Sequence, residues 1–180
     1  FKFFLKKFIL FDKMQQKIDC KKTEIIILSH KLSINKNKDI YFQGLKKIIN
    51  KKFINIFINH THAPSKNIKI KKNTILLSKK LNFFIEFLLL LKVIFFSMRN
   101  PKIFKYHSGL LSKIEIINQS IYNLRIYNQL KKIMIKYKPK SILFTYEGYA
   151  YERLICKLSN ELNIRSCGYQ TSVIIPSLLY

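Results

Sequence analysis

Between Ser141 and Tyr169 two short apolar runs, SILFTY and IRSCGY, flank a segment with helical spacing. The first run, Ser141 to Tyr146, reads as a compact buried strand. Glu147-Gly148 reads as a turn, Ala150 to Leu162 as a helix and Ile164 to Tyr169 as a second strand. A strand, a helix and a strand within so short a span favour a parallel sheet covered by helices. The same pattern recurs near the start. Ile25 to Ser29 is a β-branched run that ends on polar residues. Ile40 to Lys52 carries Leu45, Ile48 and Ile49 at helical spacing, and Phe53 to Asn59 alternates as a strand does. The expected fold is a Rossmann-like, doubly wound α/β domain with at least four parallel strands, near Ile25, Phe53, Ser141 and Ile164.

The middle of the chain reads as more helical. Lys79 to Ser97 is one expected helix, broken near Pro101. Ser112 to Tyr137 is a second, long and amphipathic, with Ile116, Ile117, Ile121, Leu124, Tyr127, Leu130 and Met134 near a 3.6-residue period. Ser112 is expected as its N-cap, with Glu115 completing a capping box, and Pro139 follows its end. Within the first helix, LNFFIEFLLLLKVIFF is the most apolar stretch of the chain. It contains Glu86 and Lys92 and falls short of the about 20 apolar residues that a bilayer span needs, so a buried or interfacial helix is expected.

Composition narrows the function classes. At 180 residues and 48% hydrophobic, the chain has ample surface to bury, which excludes a disordered tail. The formal charge is +25, from 34 basic and 9 acidic residues. A polyanion is the first partner such a charge suggests. The excess is nearly all lysine, however, with arginine only at 99, 125, 153 and 165. Together with abundant isoleucine and asparagine this is the signature of an AT-rich genome, and it places lysine on solvated faces. Contact with the anionic inner leaflet of a membrane remains open, since clustered lysines each contribute about 1 kcal/mol there. A nucleic-acid-binding protein is disfavoured: neither an RNP-type strand nor a GxxG loop is present. Cys20, Cys156 and Cys167 form no CxxC pair, which suits a reducing cytoplasm rather than a disulfide framework. No signal-peptide cleavage site follows the basic, apolar start FKFFLKKFILF.

In open α/β sheets, ligands sit beyond the carboxyl ends of the strands. Three polar groups fall at such ends: His60-Thr61-His62, Tyr146-Glu147-Gly148 and Gln170-Thr171-Ser172. Glu147 is the leading candidate, because acids are scarce and this one directly follows a strand. A carboxylate there could take a proton from a substrate hydroxyl, hold that hydroxyl, or simply complement a helix dipole. Glu152 reads equally as an ion-paired helix residue or a ligand. His60 and His62 make a weak metal signal; they could bind an anionic substrate or be ordinary exposed residues. Gln170 offers both donor and acceptor to substrate hydroxyls. No Walker loop, GxGxxG, GxSxG or zinc spacing is present, so neither a metal nor a resident cofactor is expected.

The stretch PKSILFTYEGYAYERLICKLSNELNIRSCGYQTSVIIP, Pro139 to Pro176, resembles the bacterial surface carbohydrate biosynthesis proteins. That family's pattern is a strand, EGxxWE, a helix and a strand ending in GYQH. Glu147, Gly148 and Glu152 match the first motif, with Tyr151 in place of tryptophan. Gly168, Tyr169 and Gln170 match the second, with Thr171 in place of histidine. Tyr41, Phe42, Gly44 and Leu45 are similar to the family's YFxGL helix. The resemblance implies the N-terminal half of a GT-B glycosyltransferase of capsule, O-antigen or lipopolysaccharide assembly. It implies a lead-in over residues 1–24 and an acceptor-side domain over 25–180, with the nucleotide-sugar domain beyond. The implied site is Glu147 as catalytic base, with Tyr146, Gly148, Glu152, Gln170, Thr171, His60 and His62 binding substrate. The implied partners are a nucleotide sugar as donor substrate, a polysaccharide or lipid-linked acceptor, and the inner leaflet of the cell membrane from the cytoplasmic side. A non-catalytic membrane-surface component of the same assembly is the alternative.

Overall fold

Ile25–His30 is the strand on which the rest of the fold is arranged. A computed structural model of the chain describes residues 15–18, 23–30, 41–42, 44–45, 52–58, 72–78, 81–104 and 109–170. Six strands are described: β1 (Gln15–Lys17), β2 (Ile25–His30), β3 (Phe53–Ile58), β4 (Thr74–Leu76), β5 (Ser141–Thr145) and β6 (Arg165–Tyr169). They form one sheet in the order β1-β4-β3-β2-β5-β6. β2 to β6 are mutually parallel, and β1 is an antiparallel edge strand on β4. The chain winds outward from β2 to β3 and β4, then returns to place β5 and β6 on β2's other side. This is the strand order of a Rossmann-like α/β fold.

Side-chain alternation assigns each strand's two faces. Ile26, Leu28, Ile54, Ile56, Ile58, Ile142 and Phe144 point to one side and share a core with Ile126, Leu130, Ile133, Met134, Ile155 and Leu158. Those last six belong to two helices, α2 (Leu110–Tyr137) and α3 (Ala150–Glu161). On the opposite face Ile25 and Ile27 pack with Phe42, beside Tyr41, Phe53 and Leu143. Because β2 is covered on both sides, its apolar run is continuous rather than alternating. β3 keeps one half-exposed face and alternates.

A further helix, α1 (Phe83–Arg99), packs on α2, followed by a short 3-10 turn at Pro101–Phe104. Two polar contacts fasten this layer. Arg125 donates from Nε and Nη2 to the two carboxylate oxygens of Glu86, both at 2.6 Å, and Glu86 also accepts the Leu81 N–H at 2.7 Å. The buried Gln129 bridges the chain after β4, accepting from Ser78 N–H at 2.8 Å and donating to its carbonyl at 3.0 Å.

The structure moves several sequence boundaries. α1 begins at Phe83, where Asn82 accepts the Phe84 N–H, not at Lys79. α2 begins at Leu110 with Gly109 as N-cap, so Ser112 lies inside the first turn and its hydroxyl donates to the Gly109 carbonyl. The expected Ser112–Glu115 capping box is therefore absent. Lys138 ends α2 in the left-handed region, and Pro139 prevents its continuation. β4 and β1 were not expected from the sequence; β1 draws residues of the 1–24 lead-in into the sheet. The helix expected over Ile40–Lys52 lies mostly outside the described residues. Among the described residues, no helix is long and apolar enough to cross a membrane.

Candidate functional site

The winding direction reverses between β2 and β5, and crevices at such reversals are where open α/β sheets hold ligands. β5 runs out at Thr145 directly beside this point. Tyr146, Glu147, Gly148 and Tyr149 follow before α3 begins. All four are exposed.

The loop has this shape because of Glu152. It is the third residue of α3, and its side chain is 0% exposed. Its carboxylate turns back over the helix N-terminus. The Glu147 N–H donates to both oxygens at 3.1 and 3.0 Å, Gly148 N–H donates at 2.8 Å and Tyr149 N–H at 2.9 Å. Half of a capping box is thus present; in the other half, the Glu152 N–H donates to the backbone carbonyl of Tyr149 instead of a side chain. Burial pushes the Glu152 carboxyl above its ordinary value, while the donations from Glu147, Gly148 and Tyr149 pull it down and the nearby Glu147 charge pushes it up.

Two glycines let the loop close. Gly148 has φ of 91° with open space around it, so its backbone, not packing, demands glycine. At Gly168 on β6 a Cβ would meet the Tyr146 Cβ at 3.0 Å, so its bare backbone lets Tyr146 lie across the strand. The Tyr146 N–H donates to the Tyr169 carbonyl at 2.9 Å, extending the ladder by one bond.

Three exposed tyrosines lie at the same end of the sheet as Glu147. The rings of Tyr146, Tyr149 and Tyr169 are 40%, 47% and 55% exposed. Each has a support beneath it: Phe144 edge-on to Tyr146, Phe42 edge-on to Tyr169, and the buried Tyr151 stacked on Tyr149 at 5.5 Å. Burial raises the Tyr151 phenol far above the ordinary tyrosine range, which keeps it neutral.

Of the residues singled out in the sequence, Tyr146, Glu147, Gly148 and Gln170 occupy one end of the sheet, with Gln170 exposed just after β6. Glu152 does not face the loop surface. All the contacts of its carboxylate given above are to backbone N–H groups, so in this structure it positions the loop. His60, His62 and Thr171 lie outside the described residues. Tyr149 was not anticipated as an exposed ring; the aromatic density of TYEGYAY was its only signal. Among the described residues, no group of three or more His, Cys, Asp or Glu could hold a metal ion. In comparisons with known proteins, no family model, curated protein or solved structure matched the chain.

Proposed function

We propose that this chain is the acceptor-side, Rossmann-like domain of a GT-B glycosyltransferase that builds a bacterial surface polysaccharide. The observation that carries the reading is Glu147, an exposed acid at the switch point of the sheet, set among three exposed tyrosines and held by a buried glutamate. Tyrosine rings present an apolar face and a polar edge, which suits a sugar's apolar ring face and its hydroxyl rim. Gln170 adds a neutral donor and acceptor beside Tyr169.

In the proposed reaction an acceptor hydroxyl rests against the tyrosines within hydrogen-bond reach of Glu147. The Glu147 carboxylate takes its proton as the hydroxyl oxygen attacks the donor sugar's anomeric carbon. The bond from that carbon to the nucleoside diphosphate breaks, and the diphosphate leaves with the electron pair. The nucleotide sugar is held by a second domain, so this chain binds acceptor and supplies the base. Glu152 acts through the backbone, keeping the Glu147 N–H fixed.

The test is transfer of radiolabelled sugar by the full-length protein, with Glu147→Gln beside wild type. The substitution keeps size and removes charge, so turnover falls by about 100- to 10,000-fold while the melting temperature holds. Folded Glu147→Gln with near-normal turnover would remove Glu147 as the base. Wild-type protein that transfers no sugar from any common nucleotide sugar to the membrane lipid fraction would argue for the non-catalytic role.

A further inference from the structure

α1 is built inside out for a surface helix. Its acid, Glu86, faces α2 and is paired with Arg125, and its buried contacts come from Leu89, Val93 and Ser97. Its outer face is apolar: Phe84, Phe87, Leu88, Leu91, Phe95 and Met98 recur at three- and four-residue spacing and are 41% to 74% exposed. Monomeric soluble proteins seldom leave so continuous an apolar stripe in water.

The charges along that stripe decide what covers it. Lys92 and Arg99 lie seven residues apart at one margin, both exposed, and the exposed Lys102 follows in the next turn. Arg99 lies over the Phe95 ring at 5.8 Å, so the cation and the apolar face form one surface. No described acid borders the outer stripe on α1, because Glu86 is turned inward. A second copy of the chain would bring one cationic margin toward another, on a chain of formal charge +25. An anionic lipid surface matches both halves of the pattern, with acyl chains for the phenylalanines and phosphates for the cations. α1 is not long and apolar enough to cross a bilayer, so on a membrane it would lie in the interface plane.

We infer that α1 is an interfacial anchor that embeds its outer face in an anionic membrane leaflet, with Lys92, Arg99 and Lys102 at the headgroups. This inference does not depend on the proposed sugar transfer.

The chain contains no tryptophan, so Phe95→Trp introduces a single depth probe. The assay compares vesicles of phosphatidylcholine alone with vesicles that also contain phosphatidylglycerol. The expected result is a blue-shifted emission, quenched by acyl-brominated lipid, with the phosphatidylglycerol vesicles. Adding Leu88→Glu and Leu91→Glu weakens binding on the order of 100-fold or more. These positions are exposed, and an unchanged thermal melt shows that the variant is folded. Lys92→Gln weakens binding about fivefold, and only where phosphatidylglycerol is present. Three results overturn the inference: no blue shift with either vesicle, binding unaffected by the two glutamates, or a lipid-free dimer that the two glutamates dissociate.

Discussion

Replacing Glu152 isolates the device that holds the candidate site. In Glu152→Ala the backbone N–H groups of Glu147, Gly148 and Tyr149 lose their shared acceptor, and a fully enclosed side chain leaves a gap. Loss of an N-terminal cap costs about 0.5 to 2 kcal/mol, and orphaning buried donors about 1 to 3 kcal/mol each. Residues 147 to 149 are exposed, so water recovers part of that. The expected net loss is about 3 kcal/mol, or about 6 to 12 °C in melting temperature for a domain of this size. Glu152→Gln behaves differently. Three of the four contacts converge on Oε2, where an amide oxygen can sit, while its NH2 group then faces the Glu147 N–H that approaches Oε1 at 3.1 Å. One bond is weakened rather than three lost, and the expected cost is about 1 kcal/mol. Because the folded carboxyl titrates above its unfolded value, its contribution is greatest below the unfolded value and is lost as pH rises through the folded one. The wild-type advantage over Glu152→Gln should therefore shrink from acid toward neutral pH. Thermal melts of the three proteins across that range provide the measurement. A Glu152→Ala cost below about 0.5 kcal/mol would refute the capping role, and an advantage that widens with pH would refute the dominance of burial.

Gly148→Ala should cost about 1 to 2 kcal/mol from backbone conformation alone, read by urea unfolding, since a Cβ there meets nothing; a neutral result would mean that the loop relaxes. Arg125→Met strands the half-buried Glu86 and should cost about 2 to 3 kcal/mol, with much of it restored by a second change, Glu86→Leu, in the same unfolding assay. On the proposed reading the 180-residue chain by itself should transfer no sugar, because the GT-B cleft of that reading closes between two domains; turnover by the purified chain would show the assignment of halves to be mistaken.

What the sequence made legible followed from burial. β2, β3 and β5 are long enough and apolar enough to declare themselves, and they form the centre of the sheet. β4 and β1 span three residues each, and lysines around β4 mask its buried Thr74, Ile75 and Leu76. Their pairing is set by neighbouring strands, which no local window contains. β6 was recognised although all five of its residues are exposed, because the helix before it fixed where the chain must return. At the site, position was readable and role was not. Glu147 and Glu152 look alike in a string. Only the backward turn of the Glu152 side chain onto three N–H groups separates a capping acid from an exposed one. Similarly, LNFFIEFLLLLKVIFF announced an apolar helix, but its outward stripe emerged only once Glu86 was seen to face Arg125.

In the proposed reaction Glu147 removes the acceptor proton. The most direct measurement is kcat of the full-length protein against pH at saturating substrates, for wild type and Glu147→Gln. General-base catalysis predicts an acid limb of slope about one in the wild type, as the carboxylate must be ionised, and a low profile without that limb in the variant. The same acid limb and a near-normal plateau in folded Glu147→Gln would contradict it.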